Sequence, residues 1–239
     1  MPAELIAGVL KDRLDTLTAR EAKRFAAGRP KAKAALSHEA SAWLDGVPMH
    51  WMKDWPMPHL PVITKAKGAR ITDLDGFEID DFCLGDTGSM FGHSPAPVTK
   101  AIRKQASRGL TYMLPPESVN EVGALLTARF GNFRWQIATT ATDANRYAIR
   151  VARAVTGRPK ILVFNGCYHG SVDETMVELV KGKTMTRAGL LGQVNDLSKT
   201  AVCVEFNDLA AVEAALAKDD VAAILTEPVL TNCAMVLPD

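Results

Sequence analysis

Three short apolar segments, at residues 160–164, 201–206 and 221–226, constrain the fold of this chain more than any other feature. Each has the length of a buried strand and is bounded by polar residues. Amphipathic helical patterns occupy residues 144–155, before the first of these strands, and residues 208–217, before the last. Strands that alternate with helices predict an α/β fold, with a mostly parallel sheet and helices on both faces.

The residues before this region predict helices and a small antiparallel sheet. Helical spacing and turn signals predict a helix over 3–26, a short helix within 31–43, a proline-rich loop over 46–61, strands at 62–64, 70–72 and 78–82, and a helix over 96–106. A further helix is expected after a capping box at 118–121, and a short strand at 135–138. We therefore divide the chain into an N-terminal segment, 1–95, and the first part of a larger domain, 96–239.

Composition argues against several classes of partner. The 239 residues include 28 Lys and Arg against 27 Asp and Glu, and 6% are aromatic, so no basic stripe for nucleic acid is present. No apolar run reaches the roughly 18 residues of a membrane span, and the charged N-terminus does not resemble a signal peptide. The four cysteines form no CxxC pair, which predicts reduced, mostly buried thiols, no metal site and a cytoplasmic location.

The first candidate site is the junction at 139–142, where a predicted helix begins. The N–H groups at a helix N-terminus attract anions, and the hydroxyls of Thr140 and Thr142 add donors beside Ala141. Ordinary capping explains the same residues, because Thr140 is followed three positions later by Asp143. The local pattern leaves both interpretations open.

Two more candidate clusters follow predicted strands. Tyr168 and His169 lie between two glycines after the first strand, where an aromatic ring can stack on a flat ligand. Glu227 and Asn232 follow the last strand. Taken alone, the first cluster is better explained as a turn with a half-buried Tyr, or with a His bonded to a backbone carbonyl, and the second is a weak signal that a loop cap also explains. Because parallel strands bring their carboxyl ends to one edge, all three clusters are expected on the same side of the sheet.

In this order the motifs resemble the class III aminotransferases of the fold-type-I pyridoxal phosphate family, and in particular the glutamate-1-semialdehyde aminomutase branch. The resemblance covers roughly residues 40–239, and the matching stretches are Asp73-Leu74-Asp75-Gly76, Gly92-His93, Thr140-Ala141-Thr142-Asp143-Ala144-Asn145, Ala152 to Arg158, Gly166-Cys167-Tyr168-His169-Gly170 and Glu227-Pro228-Val229. The family signature has Gly where this chain has Ala141, and Glu where it has Asp143.

The resemblance implies a role for each of these residues. The cofactor would be pyridoxal 5′-phosphate, and it would bind to Thr140, Ala141, Thr142, Tyr168, His169, Glu227 and Asn232. The threonine junction would hold the phosphate, Tyr168 would stack on the ring, and Asn232 would bond to the ring hydroxyl oxygen. The reaction would be amino group transfer between an amino acid or amine and a keto acid, in a homodimer.

One departure concerns the substrate. The aminomutase branch has an Arg near residue 50 for a substrate carboxylate, whereas this chain has His50, Trp51 and Lys53 there. Either Lys53 or His50 takes over that role, or the distal end of the substrate is apolar or aromatic. The neighbouring Trp51 and Trp55 favour the second option, and ordinary amino transfer over the aminomutase reaction.

A second departure concerns the catalytic lysine. In the family, the Schiff-base Lys and the Asp that pairs with the ring nitrogen lie well downstream of the Glu-Pro motif, but no Lys follows Glu227 here. We therefore expect no catalytic residue within this chain and a lysine beyond Asp239, supplied by a longer protein or by a complementing C-terminal chain. The alternative is a non-catalytic binding or scaffolding protein on the same frame.

Overall fold

The computed structural model describes residues 5–6, 9–37, 42–86 and 88–239. The chain divides into two compact units, Met1–Pro116 and Glu117–Asp239. The domain boundary expected after residue 95 stays a prediction. Within the described residues, no helix combines the length and the apolar character that crossing a bilayer demands.

The first unit combines helices with two small antiparallel sheets. Its elements are β1 (Leu5–Ile6), β2 (Val9–Leu10), α1 (Lys11–Gly28), α2 (Pro30–Ala35), β3 (Ile63–Lys67), β4 (Arg70–Asp73), β5 (Glu78–Asp80) and α3 (Ala96–Ala106). Strand β1 pairs with β2, and β4 lies between β3 and β5. The predicted three-stranded antiparallel unit and the helix over 96–106 are thus confirmed.

The N-terminal helix prediction needs correction. The helix begins at Lys11 and not at residue 3, because the apolar residues before it form the β1–β2 pair, with Ile6 opposite Val9. Such β-branched residues favour strands over helices. The second helix is confined to Pro30–Ala35, and residues 38–41 lie outside the described part of the chain. The predicted loop over 46–61 contains a short 3₁₀ helix at His50–Asp54, which ends before the prolines at 56 and 58.

An ion pair joins the end of α1 to β4. The Arg29 Nε lies 2.9 Å from Oδ2 of the buried Asp73. The guanidinium carbon lies 4.2 Å from the ring centroids of both Phe25 and Phe77. A buried carboxylate requires a charged or hydrogen-bonded partner, so Arg29 and Asp73 depend on each other within this unit.

The second unit is built around a parallel sheet. Its elements are α4 (Val119–Phe130), α5 (Ala141–Thr156), β6 (Lys160–Phe164), β7 (Val177–Val180), β8 (Lys183–Thr186), β9 (Ala201–Val204), α6 (Leu209–Leu216) and β10 (Val221–Leu225). Strand β6 lies between β10 and β9, and both pairings are parallel.

Alternate residues of β6 pack on opposite faces of this sheet. Ile161 and Val163 belong to one buried cluster with Ile149 of α5. Leu162 belongs to another cluster with Ala215 of α6. Because the side chains of β6 alternate between two apolar layers, both faces of the strand are buried and its sequence is a continuous apolar run. The predicted α/β architecture, with helices on both faces of a parallel sheet, is confirmed.

The antiparallel hairpin β7–β8 was not predicted from the sequence. Its two-residue turn, Lys181 and Gly182, has positive φ at both positions, as hairpin turns of this length require. The hairpin covers one edge of the parallel sheet, because the Thr184 hydroxyl accepts a hydrogen bond from the Cys203 N–H at 2.8 Å. The Lys-Gly pair between two alternating stretches was the available signal.

Three local predictions are wrong. Residues 135–138 form no strand, and within the described residues they pair with no strand of any sheet. Helix α4 forms as expected, but the Ser118 side chain makes no capping hydrogen bond. All four cysteines are free, yet only Cys167 and Cys203 are buried, while Cys83 lies exposed in a turn-rich loop.

Candidate active site

Helix α5 begins at the threonine junction, and Thr140 is its N-cap residue. The Thr140 Oγ1 accepts a hydrogen bond from the Asp143 N–H at 3.1 Å and donates to the Asp143 carboxylate at 2.8 Å. The capping explanation therefore holds for this hydroxyl. The N–H groups of Ala141 and Thr142 have no acceptor among the described residues, so they remain available at the positive end of the helix.

Thr142 connects the start of α5 to the loop after β6, residues 165–171. Its Oγ1 accepts a hydrogen bond from the Ser171 N–H at 3.1 Å, which leaves the hydroxyl proton free for another acceptor. Gly170 lies directly against this side chain with a φ of +80°. A Cβ at Gly170 would overlap the Thr142 hydroxyl and would lie 3.3 Å from the Thr142 Cα. The contact therefore requires glycine.

The loop after β6 has two further anchors. The Asn145 side-chain amide donates to the His169 carbonyl at 3.0 Å, which ties the second turn of α5 to the loop. The Cys233 thiol donates to the Gly166 carbonyl at 3.5 Å. The loop is thus held from α5 on one side and from the segment after β10 on the other.

Tyr168 and Glu227 meet although 59 residues separate them in sequence. The Tyr168 N–H donates to Glu227 Oε2 at 2.8 Å. The other oxygen, Oε1, accepts from the Thr231 hydroxyl at 2.6 Å and from the Thr231 N–H at 3.3 Å. The phenol ring of Tyr168 stays accessible, because the residue is 59% exposed. The backbone of Tyr168 is therefore fixed while its ring faces outward.

The electrostatics of this cluster keep Glu227 ionised and His169 neutral. Burial would raise the pKa of Glu227, but the hydrogen bonds from Thr231 and Tyr168 outweigh it and the pKa is lowered. Burial lowers the pKa of His169, and the nearby charge of Glu227 opposes this only partly. His169 is 6% exposed, and its Nε2 is a buried polar atom with no hydrogen-bond partner among the described residues.

Asn232 lies in the turn that follows β10. The Leu230 N–H donates to the Val236 carbonyl at 3.0 Å, which closes this turn. Asn232 is exposed there, and its side chain makes no hydrogen bond to other described residues. It directly follows Thr231, whose hydroxyl bonds to Glu227.

This arrangement fits a ligand that carries a phosphate and a flat ring. Two unpaired N–H groups and one hydroxyl proton at the start of α5 suit a phosphate. An exposed phenol ring on the loop that contacts Thr142 suits a planar aromatic group. The buried, unpartnered Nε2 of His169 lies in the same loop as Tyr168, and the exposed Asn232 amide follows β10. The donor set therefore agrees with pyridoxal phosphate.

The predicted substrate residues belong to the first unit. His50, Trp51 and Lys53 lie in the 3₁₀ helix His50–Asp54, and all three are exposed. The Lys53 Nζ lies 2.9 Å from the Asp45 carboxylate. The hydrogen bond that Lys53 donates to Asp45 raises the pKa of Lys53, and the charge of Lys53 is already paired within the unit.

Sequence reasoning identified the three clusters but missed the residues that join them. Ser171, Thr231 and Gly170 make the connecting contacts and were assigned no role. The four-residue spacing from Glu227 to Thr231 is a local signal that was available. The contact from Ser171 to Thr142 has no such signal, because it depends on how β6 and α5 pack.

Comparison with known proteins places these features in a family. Residues 52–239 match the model of the class III aminotransferases. Glutamate-1-semialdehyde 2,1-aminomutase of Nitrosopumilus maritimus is 31% identical over 178 residues, which is 73% of this chain and 42% of that protein.

Solved structures agree with this placement. A glutamate-1-semialdehyde aminomutase of Pseudomonas aeruginosa PAO1 superposes with a TM-score of 0.90 at 48% identity, covering 95% of this chain and 51% of that one. A lysine-to-alanine variant of such an enzyme from the same organism, in complex with PMP, matches equally well. An omega-transaminase of Sphaerobacter thermophilus gives a TM-score of 0.75 at 28% identity, over 83% of this chain and 47% of that one.

These matches extend over most of this chain but over only part of each relative. The chain spans about half the length of the proteins that it matches. Within that span the start of α5, the loop after β6 and the turn after β10 fall inside the matched residues 52–239. This chain therefore belongs to the class III aminotransferases, a family of fold-type-I proteins whose cofactor is pyridoxal 5′-phosphate.

Proposed function

We propose that this chain forms the cofactor-binding part of a pyridoxal phosphate-dependent transaminase, which transfers an amino group between an amino acid or amine and a keto acid. One observation supports this proposal above all. The loop after β6 bonds through Ser171 to Thr142 at the start of α5, and through Tyr168 to Glu227 after β10. Three groups that are distant in sequence and have the appropriate chemistry are thereby held together at the carboxyl ends of the parallel strands.

The start of α5 binds the phosphate in this proposal. The N–H groups of Ala141 and Thr142 and the Thr142 hydroxyl proton donate to the phosphate oxygens. Thr140 contributes by fixing the first turn, since its hydroxyl is committed to Asp143. Ala141 in place of the family glycine is compatible with this geometry, because it is the first residue of a regular helix and does not have a positive φ.

The other residues orient the ring. Tyr168 covers one face, Asn232 donates to the ring hydroxyl oxygen, and His169 offers a neutral imidazole nitrogen. When bound, pyridoxal phosphate supplies the electron sink for the chemistry at the substrate α-carbon. The protein contributes orientation and a fixed electrostatic environment.

The pairing of Lys53 bears on the substrate. Lys53 already pairs with Asp45, so a substrate carboxylate would have to compete with Asp45 for it. The neighbouring Trp51 and Trp55 present exposed aromatic surface. We therefore favour a substrate whose distal end is apolar or aromatic, with His50 and Trp51 as its contacts, and ordinary amino transfer over the aminomutase reaction.

We propose that the catalytic lysine lies outside these 239 residues, which span about half the length of the proteins that they match. A lysine amine is required to bind the cofactor covalently and to move the α-proton. We propose that it is supplied by a longer form of the protein or by a complementing chain, in a homodimeric assembly in the cytoplasm.

Titration of the 239-residue chain with PMP (pyridoxamine 5′-phosphate, the amine form of the cofactor) tests the proposal, because PMP forms no covalent bond to lysine. We expect saturable binding, measured by ligand fluorescence, and an increase in thermal stability with PMP concentration. Absence of saturable binding would refute the proposal and favour the non-catalytic alternative. For a preparation that also contains the lysine-bearing portion, we expect a visible absorbance band that borohydride fixes covalently.

A further inference from the structure

We propose that Glu227 is a positioning residue that fixes the backbone of Tyr168, from which the aromatic ring projects toward the ligand, and does not itself contact the ligand. This inference rests on the proposed function, in which Tyr168 stacks on the cofactor ring. It reassigns Glu227, which the sequence motif alone places among the residues that touch the cofactor.

Both carboxylate oxygens of Glu227 are occupied by protein donors. Oε2 accepts the Tyr168 N–H at 2.8 Å, and Oε1 accepts both the hydroxyl and the N–H of Thr231. An ionised carboxylate accepts about four hydrogen bonds, so three of those positions are already used. Hydrogen bonds to a charged acceptor are the stronger kind, and the lowered pKa of Glu227 agrees with them.

The strand register explains how Glu227 reaches Tyr168. Leu225, at the end of β10, lies opposite Val163 of β6. The chain continues from both strands at the same edge of the sheet, and Glu227 follows Leu225 by two residues. A carboxylate at this position meets the backbone of the neighbouring loop, which is the backbone of Tyr168.

Tyr168 needs such an anchor because little else restrains its ring. The residue is 59% exposed, so packing contacts on its side chain are few. A stacking ring that is free to move costs conformational entropy when it orders on a ligand. Fixing the N–H of Tyr168 restrains the backbone that carries the ring and so reduces the backbone part of that cost, and Thr231 in turn fixes the carboxylate.

A double-mutant cycle on PMP binding tests this role. We expect Glu227→Gln to weaken PMP binding about tenfold, because the amide nitrogen cannot accept from both Thr231 and Tyr168. With Tyr168→Ala already in place, the ring is gone while the N–H remains. The same Glu227→Gln change should then alter affinity by less than about twofold. A ligand contact made by Glu227 itself predicts equal effects in both backgrounds, and that result would overturn the positioning role.

Thr231 provides a second, milder series. Thr231→Val removes only the hydroxyl that bonds to Glu227 Oε1, and we expect PMP binding to weaken about threefold, again only when Tyr168 is present. Thr231→Ser keeps the hydroxyl and should bind like the wild type. The near-ultraviolet circular dichroism of bound PMP should change with Thr231→Val and recover with Thr231→Ser. Far-ultraviolet circular dichroism spectra test whether each variant is folded. If Glu227→Gln is unfolded, the comparison of Thr231→Val with Thr231→Ser tests the positioning role in its place.

Failure of this inference is distinguishable from failure of the proposed function. If the wild-type chain does not bind PMP, both are overturned. If it binds PMP and the effects of Glu227→Gln and Tyr168→Ala are additive, the proposed function stands and only the positioning role of Glu227 is lost.

Discussion

Gly170 lies so close to Thr142 that no side chain fits between them. The Gly170 φ of +80° is already unfavourable for other residues, and a Cβ there would overlap the Thr142 hydroxyl. Thr142 cannot rotate its hydroxyl away without losing the hydrogen bond from the Ser171 N–H. The start of α5 and the loop after β6 are therefore coupled by a contact that tolerates little change.

This coupling predicts that Gly170→Ala is strongly destabilising. We expect the free energy of unfolding to fall by about 2–4 kcal/mol, from backbone strain together with steric overlap. Gly189→Ala is the matched control, because Gly189 has a φ of +78° but open space around its Cβ position, and it should cost about 1 kcal/mol. Urea unfolding of both variants measures the difference. Equal losses would show that the overlap with Thr142 is unimportant.

The Thr142 hydroxyl should contribute to phosphate binding. We expect Thr142→Ala to weaken PMP binding by roughly 1–3 kcal/mol, since a donor to a charged acceptor is lost. Thr142→Ser retains the hydroxyl and serves as the control. Thr142→Ala can weaken binding by removing a donor to the phosphate or by disturbing the loop that bonds to Thr142. Pyridoxamine, which lacks the phosphate, distinguishes these two causes in the same fluorescence titration. If Thr142→Ala weakens pyridoxamine as much as PMP, the hydroxyl acts on the loop and not on the phosphate.

Most of the parallel sheet was predictable from the sequence, because a strand buried on both faces leaves an unmistakable apolar run. Residues 160–164 were predicted with the boundaries that β6 has. The sequence did not determine the role of Thr140, because the pattern from Thr140 to Asp143 allows either a helix cap or a phosphate contact. The two hydrogen bonds between Thr140 and Asp143 in the structure assign the hydroxyl to the cap.

Long-range contacts were beyond the sequence analysis. Nothing near Glu227 in the sequence indicates that its carboxylate accepts from Tyr168, because that contact follows from the register of β10 on β6. The strand expected at 135–138 did not form for a related reason: a strand is stabilised by pairing, and among the described residues no strand pairs with this segment. Local patterns predict elements, whereas pairing decides which of them form.

The stability of the chain should depend on pH in two separate ranges. Burial lowers the folded-state pKa of His169 below its ordinary value of 6.5, so the unfolded chain binds more protons as the pH falls below about 6.5. Stability attributable to His169 is thus complete above 6.5 and decreases as the pH falls toward the folded-state value. The pKa of Glu227 is lowered from 4.5, so its contribution is present above 4.5 and is lost only at lower pH.

Urea unfolding between pH 8 and about pH 3 separates these contributions. His169→Gln should flatten the decrease that begins below about 6.5 and leave the decrease below 4.5 in place. An unchanged profile for His169→Gln would contradict the assignment of a depressed pKa to that residue.

The four thiols should differ sharply in reactivity. Burial raises the pKa of Cys203 to about 12 and also raises that of Cys167, so neither thiolate forms near neutral pH. Cys83 is exposed, and Cys233 is partly buried against the Gly166 carbonyl. With a thiol-reactive dye at pH 8 we expect one fast-reacting thiol, which Cys83→Ser eliminates, and a slower one at Cys233. Cys167 and Cys203 should react only after urea unfolding, and rapid labelling of either in the folded chain would contradict the buried core around β6 and β9.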